Sequence, residues 1–399
     1  MLLTVTVPFL LSITSCFAAP ISNVASVLTS SASCFQQLPL GRTPLSRNDM
    51  AELGRLAIAV NSAYSHHDKL QPHPPHLFVD QTRRHDHRHD RSRHATVIVR
   101  SSDDAKYGQA LHEGDMRWYI SHTPSTHTLT LALSSLPNVD DLLELLASVY
   151  IRTSNTTFDT LVPLPLSLFP LTALSSSPTP LIHSSYISPS QLHGSQALEA
   201  LLDLVENPPV SVDSAGDVLR RYVKSLVSPS SQVQPYSIKR IEIVGHGLGS
   251  AVGLLVALAL DIGLSNGRME GTAGSLPPID VAATLFGLPR VGDATFSAFV
   301  NSLSERSTTL RISRITPYAD AIPHFPERHH GLVHPASARE IWIGADPRAA
   351  YACPLTRSEE ESDQCGLSVP LGKTSLLDHL GPYGGVWITP DGLTKRGDR

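Results

Sequence analysis

The chain has 399 residues, 41% of them hydrophobic and 17% charged, so it can bury at least one large core. Lysine and arginine total 31 against 36 aspartate and glutamate, a formal charge of -5 at pH 7. No basic stripe is interleaved with aromatic residues, which excludes the usual kind of nucleic-acid-binding surface. Nothing in the composition marks a division into two domains, and the length suits one α/β domain with insertions.

The N-terminal segment Met1–Ala18 has no charged side chain and a long apolar core. Cys16 and Ala18 are small residues that fit the cleavage site of a secretory signal peptide, so we expect a secreted protein. A membrane anchor is the alternative, but Pro8 interrupts the apolar core, which lacks the roughly 20 apolar residues that span a bilayer. No other segment is expected to be transmembrane. Residues 19–48 form a predicted N-terminal extension.

The main domain is predicted at residues 49–390 and begins with a helix. Asp49–Ser65 places apolar residues at helical spacing, which is typical of an amphipathic helix packed on a core. The composition then changes to His, Arg, Asp and Pro over residues 66–94, which predicts a solvated loop insertion. Its three histidines, His85, His87 and His89, are metal-binding in type, but the arginines between them repel a cation. We therefore predict no metal site.

Strand-like and helical segments alternate along the rest of the chain. Two strands are predicted at Arg117–Ile120 and Thr126–Leu133, and a leucine-rich helix at Asp140–Ala147. Later elements are the helices Gln196–Val205, Ala215–Val227 and Leu248–Asp261, and the strands Arg240–Val244 and Val281–Phe286. This alternation predicts an α/β fold with a mixed, mostly parallel sheet flanked by helices.

The most informative segment is 241–249, I-E-I-V-G-H-G-L-G, where a strand enters a tight turn and then an apolar helix. In the G-x-S-x-G elbow of hydrolases, a serine at the centre of this turn projects above the sheet. Here that position is Gly247, which has no side chain. A dinucleotide-binding site is disfavoured, because Ser250 stands at the third glycine position and no acidic residue ends a strand about 20 residues later.

Several segments, in order, resemble the fungal class 3 lipases, the triacylglycerol lipase and feruloyl esterase family with an α/β-hydrolase fold. Residues 284–293 resemble F-G-x-P-R-V-G-D/N, residues 319–326 resemble D-x-V-P-H-L-P, and residues 378–380 are the D-H-L of the family. The elbow is similar to G-H-S-L-G. Two further segments resemble the family more weakly. Residues 131–146 resemble the F-R-G-T/S strand and the lid helix that follows it, and residues 183–186 resemble H-x-G-F.

The resemblance implies a catalytic site inherited by position. Asp320 would be the triad acid, His379 the general base, and Gly247 the position that should supply the attacking oxygen. The backbone N–H of Leu248 would donate to the oxyanion, whereas the hydroxyl donor of the family aligns with Leu136. The resemblance also implies a lid at residues 140–147, a lipid or acyl-ester ligand taken from a lipid–water interface, and no cofactor.

Cysteine and sequon positions add two expectations for a secreted chain. Three cysteines remain after signal cleavage, and the close pair Cys353 and Cys365, which stands where the family has a disulfide, is the predicted one. Closing so short a loop is worth about 3 kcal/mol in the chain-entropy model. Cys34 has no evident partner. Asn155 begins the sequon N-T-T, a predicted glycosylation site.

Gly247 and Leu136 together predict lost or strongly reduced serine-hydrolase activity, with a cleft for lipid that remains. Loss of the nucleophile costs on the order of 10⁶ in rate in subtilisin, and one oxyanion donor about 10² to 10³. The alternative is an active triacylglycerol lipase or carboxylic ester hydrolase that uses Asp320 and His379 with another nucleophile. Ser250 is not expected to be that nucleophile, because it lies about one helical turn away. Glycine and serine codons can differ by one base, so a sequence error at position 247 is a further alternative.

Overall fold

The structure, a computed structural model, describes residues 42–64, 96–101, 116–135, 161–169, 178–208, 238–269, 278–328, 331–354 and 364–388. These ranges all lie within one compact unit, Gly41–Arg399. The predictions of a signal peptide, a His-rich loop, a lid helix and a helix at 215–227 lie outside the described residues. The same is true of Cys34, Leu136 and Asn155.

The described strands and longer helices follow in chain order. The strands are β1 (Thr43–Pro44), β2 (Thr96–Arg100), β3 (Trp118–Thr123), β4 (Thr128–Leu133), β5 (Leu161–Pro163), β6 (Leu181–His183), β7 (Arg240–His246), β8 (Asp280–Phe286), β9 (Gly292–Asp293), β10 (Leu310–Pro317), β11 (Leu332–Val333), β12 (Arg339–Ile343) and β13 (Ala350–Ala352). The helices are α1 (Arg47–Tyr64), α2 (Ser195–Glu206), α3 (Leu248–Met269) and α4 (Ala294–Arg306).

The main sheet has the strand order β1-β13-β12-β10-β8-β7-β4-β3-β2. Its five central strands, from β12 to β4, are parallel, while the strands at both edges are antiparallel. A smaller antiparallel sheet has the order β11-β9-β6-β5. The predicted fold class, a mixed sheet flanked by helices in the α/β-hydrolase arrangement, is confirmed. Strand β1 lies before residue 49, so the sheet also draws on the predicted N-terminal extension.

Helices cover both faces of the main sheet, as buried parallel strands require. Residues of α1 pack with β-strand residues in one apolar cluster, whereas α2, α3 and α4 contribute to a larger cluster that contains the opposite face. The window Leu248–Ser265 of α3 is long and apolar enough to cross a membrane, but 83% of it is buried in the fold. Helix α3 is therefore the central core helix of the protein.

Helix α3 runs past its predicted end at Asp261 to Met269. A buried aspartate is unfavourable in a helix interior unless its charge is hydrogen-bonded. Asp261 meets this condition, because its carboxylate accepts hydrogen bonds from Ser307 at 2.8 Å and from Thr309 at 3.3 Å. Both partners lie in the segment between α4 and β10, which local sequence reasoning does not place beside α3.

The predicted disulfide Cys353–Cys365 is present. It connects the end of β13 to the segment that leads to His379. Beside it, the buried pair of Arg314 and Glu340 is held at 3.2 Å, and Glu340 also accepts a hydrogen bond from the backbone N–H of Gly366. The disulfide and this ion pair together attach the C-terminal segment to β10 and β12.

Candidate functional site

The elbow joins β7 to α3 at the C-terminal edge of the sheet. Gly247 has a φ of 53°, in the left-handed region that disfavours residues with a side chain. Its backbone N–H donates to the carbonyl of Phe286 at 3.0 Å. A Cβ at Gly245 would overlap the backbone of Gly249, and one at Gly249 would overlap the end of β4. The absence of a side chain at both positions thus allows α3 to begin in direct contact with β7 and β4.

Asp320 and His379 meet beside this turn although they lie far apart in sequence. Asp320 follows β10, and His379 lies in the short 3-10 turn Asp378–Leu380. The Asp320 Oδ2 to His379 Nδ1 distance is 3.0 Å, and both side chains are fully buried. Asp320 Oδ1 accepts a second hydrogen bond from the backbone N–H of Ile322 at 2.8 Å. Both carboxylate oxygens are therefore fixed.

The imidazole of His379 points Nε2 at the turn. A Cβ built on Gly247 would lie 2.9 Å from His379 Nε2 and 3.1 Å from Ser135 Oγ. Gly287, with a φ of 56°, lies beneath the ring, and a Cβ there would overlap it. On another side the ring stacks on His246, with 4.2 Å between centroids and 22° between planes. The orientation of the ring is therefore fixed both by this packing and by the hydrogen bond to Asp320.

A buried hydrogen-bond network ties α1 to the elbow. His246 Nε2 contacts the carbonyl of His379 at 2.9 Å, so this nitrogen donates. His246 Nδ1 then accepts from the hydroxyl of Tyr64 at 2.7 Å, and the same hydroxyl accepts from the N–H of Ser135 at 2.8 Å. Burial lowers the pKa of His246 well below its usual value, and the neighbouring His379 lowers it further. Burial also raises the pKa of Tyr64, so both groups stay neutral.

We expect Tyr64→Phe to lower the free energy of unfolding by about 2 to 4 kcal/mol, because it leaves a buried donor on Ser135 and a buried acceptor on His246 unpaired. The matched control is Tyr119→Phe. The Tyr119 hydroxyl donates to the carbonyl of Ala59 at 2.9 Å and also has the hydroxyl of Ser62 as a neighbour, but it does not bridge His246 and Ser135. Denaturant unfolding of both variants measures the difference, and equal losses would contradict a special role of the Tyr64 network.

Sequence reasoning missed Ser135. It assigned the hydroxyl donor of the oxyanion site to position 136, which lies outside the described residues. The structure brings the Ser135 hydroxyl to the start of α3, where Leu248 N–H donates to Ser135 Oγ at 3.4 Å. The structural reason is the register of β4 and β7, in which Leu133 pairs with Gly245. Two residues farther along each strand, Ser135 stands beside Gly247.

Among the described residues, one cluster of metal-binding side-chain types occurs: Glu340, Cys353 and Cys365. The two cysteines are joined to each other, and Glu340 pairs with Arg314. Their ligand atoms are thus already committed. The chemistry that this part of the chain offers is that of an acid–base pair, Asp320 and His379, beside helix N–H groups.

The family model for class 3 lipase matches residues 148–330. The lipase of Rhizomucor miehei is 32% identical over 189 residues, 45% of this chain and 46% of the relative. A secreted mono- and diacylglycerol lipase of Malassezia globosa is 31% identical over 105 residues, 26% of this chain and 29% of that protein. The matches thus span less than half the length of either curated relative.

Lipase II from Rhizopus niveus, a solved structure, matches with a TM-score of 0.51 at 18% identity and covers 87% of this chain and 98% of its own. This likeness shows the fold. The family model and the fungal relatives thus show similarity to class 3 lipases over part of the chain, and the structural likeness shows the α/β-hydrolase fold.

Proposed function

We propose that this is a secreted class 3 lipase-like protein, a pseudoenzyme of lipid or ester metabolism whose serine-hydrolase activity is strongly reduced and whose cleft still binds lipids or acyl esters. One observation carries the proposal. His379 Nε2, oriented through Asp320, points at a Gly247 that has no hydroxyl. The base is in position, but the oxygen that it would activate is missing from the elbow.

Three further observations support it. Leu248 N–H lies at the N-terminus of a long helix, where the backbone favours negative charge, as an acyl-ester oxyanion requires. Exposed apolar side chains flank the His379 turn, with Leu377 71% and Trp387 52% exposed. The disulfide and the predicted signal peptide suit an extracellular location, and the name of the M. globosa relative describes it as secreted.

The test is to measure hydrolysis and binding by the purified protein. On short- and long-chain esters we expect a kcat/KM well below about 10⁴ M⁻¹s⁻¹, the lower end of the usual range for enzymes. A fluorescent fatty acid should bind saturably. Binding should be lost in Gly247→Leu, which fills the cleft at the elbow, and retained in Gly263→Leu, because Gly263 is an exposed position on α3 with no neighbour within 4 Å.

Two results would contradict the proposal. Ester hydrolysis at or above about 10⁴ M⁻¹s⁻¹ would show that the activity is not reduced. Fatty-acid binding that is absent, or that Gly247→Leu leaves unchanged while circular dichroism shows a folded protein, would show that the cleft does not bind lipid.

A further inference from the structure

One buried acceptor at the site has no partner. Among the described residues, His379 Nε2 is buried without a hydrogen bond. The carboxylate of Asp320 can only accept, so His379 Nδ1 donates to it, and in the neutral ring Nε2 is then the acceptor. This nitrogen needs a donor, and the family supplies one from the elbow serine. In this chain Gly247 has no side chain to supply one.

The Ser135 hydroxyl converges on the same place. The point that a Cβ of residue 247 would occupy is 3.1 Å from Ser135 Oγ and 2.9 Å from His379 Nε2. Ser135 is brought there by the parallel pairing of β4 with β7, since it stands two residues beyond the pair Leu133 and Gly245. Its backbone N–H is fixed by Tyr64 at 2.8 Å. Its position is therefore determined by the sheet and by the network to α1.

The contact with Leu248 favours an activated hydroxyl. Leu248 N–H donates to Ser135 Oγ, so this oxygen already lies where a helix N-terminus stabilises negative charge. An oxygen that accepts this bond can still donate its hydrogen, and the Tyr64 hydroxyl is a second hydrogen-bonding neighbour of the Ser135 side chain. Neighbouring serines contact other groups: Ser134 Oγ accepts from the N–H of Arg117 at 2.9 Å, and Ser250 Oγ donates its hydrogen to the carbonyl of Phe286 at 2.8 Å.

We propose that Ser135 is a substitute nucleophile, activated by His379, and that it carries the residual ester hydrolysis of this protein. The inference rests on the proposed function, because it concerns acyl esters bound in the same cleft. As Ser135 Oγ attacks the acyl carbon, its proton passes to His379 Nε2. The bond to the alcohol then breaks, and the alcohol oxygen takes that proton, which leaves an ester on Ser135.

Water completes the cycle. It transfers a proton to His379 Nε2 and attacks the acyl carbon, the bond to Ser135 Oγ breaks, and the proton returns to that oxygen. The net reaction converts an ester and water into a carboxylic acid and an alcohol. The oxyanion has Leu248 N–H as its nearby backbone donor, because Ser135 N–H is engaged by Tyr64. With a single such donor the rate stays low, since each missing donor costs about 10² to 10³.

The experiment combines covalent labelling with kinetics. The purified protein is treated with a p-nitrophenyl alkylphosphonate, and the modified residue is located by tandem mass spectrometry. We expect the label on Ser135, no label in Ser135→Ala, and an unchanged label in Ser134→Ala, the matched control. Residual hydrolysis of p-nitrophenyl butyrate should fall at least about 10-fold in Ser135→Ala, to the level of His379→Ala, and persist in Ser134→Ala.

Ser135→Cys is a second variant that controls for a folding defect in Ser135→Ala. Its thiol keeps a nucleophilic atom of similar size in place, and it should form a thioester during ester turnover. A label at another residue, no label at all, or residual hydrolysis that Ser135→Ala leaves intact would overturn the proposal. These failures differ from failure of the proposed function. Wild-type hydrolysis above about 10⁴ M⁻¹s⁻¹ with a label on Ser135 would contradict reduced activity and support this nucleophile.

Discussion

Replacing Gly247 with serine is expected to raise kcat/KM for carboxylic esters by about 10³-fold or more. The nucleophile is worth on the order of 10⁶ in subtilisin, and an incomplete oxyanion site removes about 10² to 10³ of that gain. Asp320 and His379 are already paired at 3.0 Å, so the variant adds an oxygen beside a pair that is already formed. Assays on short- and long-chain esters, with the enzyme concentration set by active-site titration, measure the gain.

The same substitution has a structural cost. A φ of 53° at position 247 disfavours a side chain, and such strain is worth about 1 to 3 kcal/mol. The new Cβ would lie 2.9 Å from His379 Nε2, so the imidazole has to shift slightly. Gly247→Ala has the same strain and the same Cβ but no hydroxyl, which makes it the matched control. If Gly247→Ser hydrolyses esters no faster than Gly247→Ala, the site cannot be restored at this position.

Asp320→Asn, made in the Gly247→Ser background, is expected to lower kcat by about 10⁴-fold, the size of the corresponding change in the Ser-His-Asp triad of serine proteases. Asn keeps the shape of the side chain, and its oxygen can still accept from the N–H of Ile322. Its amide, however, donates where the carboxylate accepted. His379 Nδ1 must then accept, which leaves the proton on Nε2 and removes the base.

The control for this loss is Asp378→Asn, which removes a nearby carboxylate that makes no described hydrogen bond to the imidazole of His379. Esterase assays and thermal unfolding on the same samples separate catalysis from stability. A fall in kcat without a large fall in melting temperature is the expected pattern for Asp320→Asn. Equal losses of kcat in both variants would indicate that the loss of a negative charge near His379, and not a change in its tautomer, causes the effect.

The sheet and the elbow were predictable because their signals are local. Strand β7 alternates between the two faces of the sheet, with Ile241 and Ile243 in the larger core and Val244 in the core beneath α1. Glycine at positions 245, 247 and 249 marks the turn before an apolar helix. The pairing of Asp320 with His379 is long-range, and only the family resemblance indicated it.

Ser135 and Tyr64 could not be predicted in the same way. Their contact joins residues 71 positions apart and depends on where α1 ends against the sheet. A strand of two residues such as β1 likewise has no periodicity, and its pairing with β13 becomes visible only in the fold. The register of β4 with β7 decides that Ser135 reaches the elbow, and a one-residue shift would turn its side chain to the opposite face.

Burial of the Asp320 and His379 pair bears on how such a site decays over evolutionary time. The imidazole is enclosed by Gly287 and His246, and the carboxylate secures a loop through Ile322. A substitution at either position would leave a buried polar group unpaired and would lower stability even in a protein without catalysis. Selection for folding alone can therefore preserve both side chains, so a serine at position 247 would restore the triad that we propose for this site.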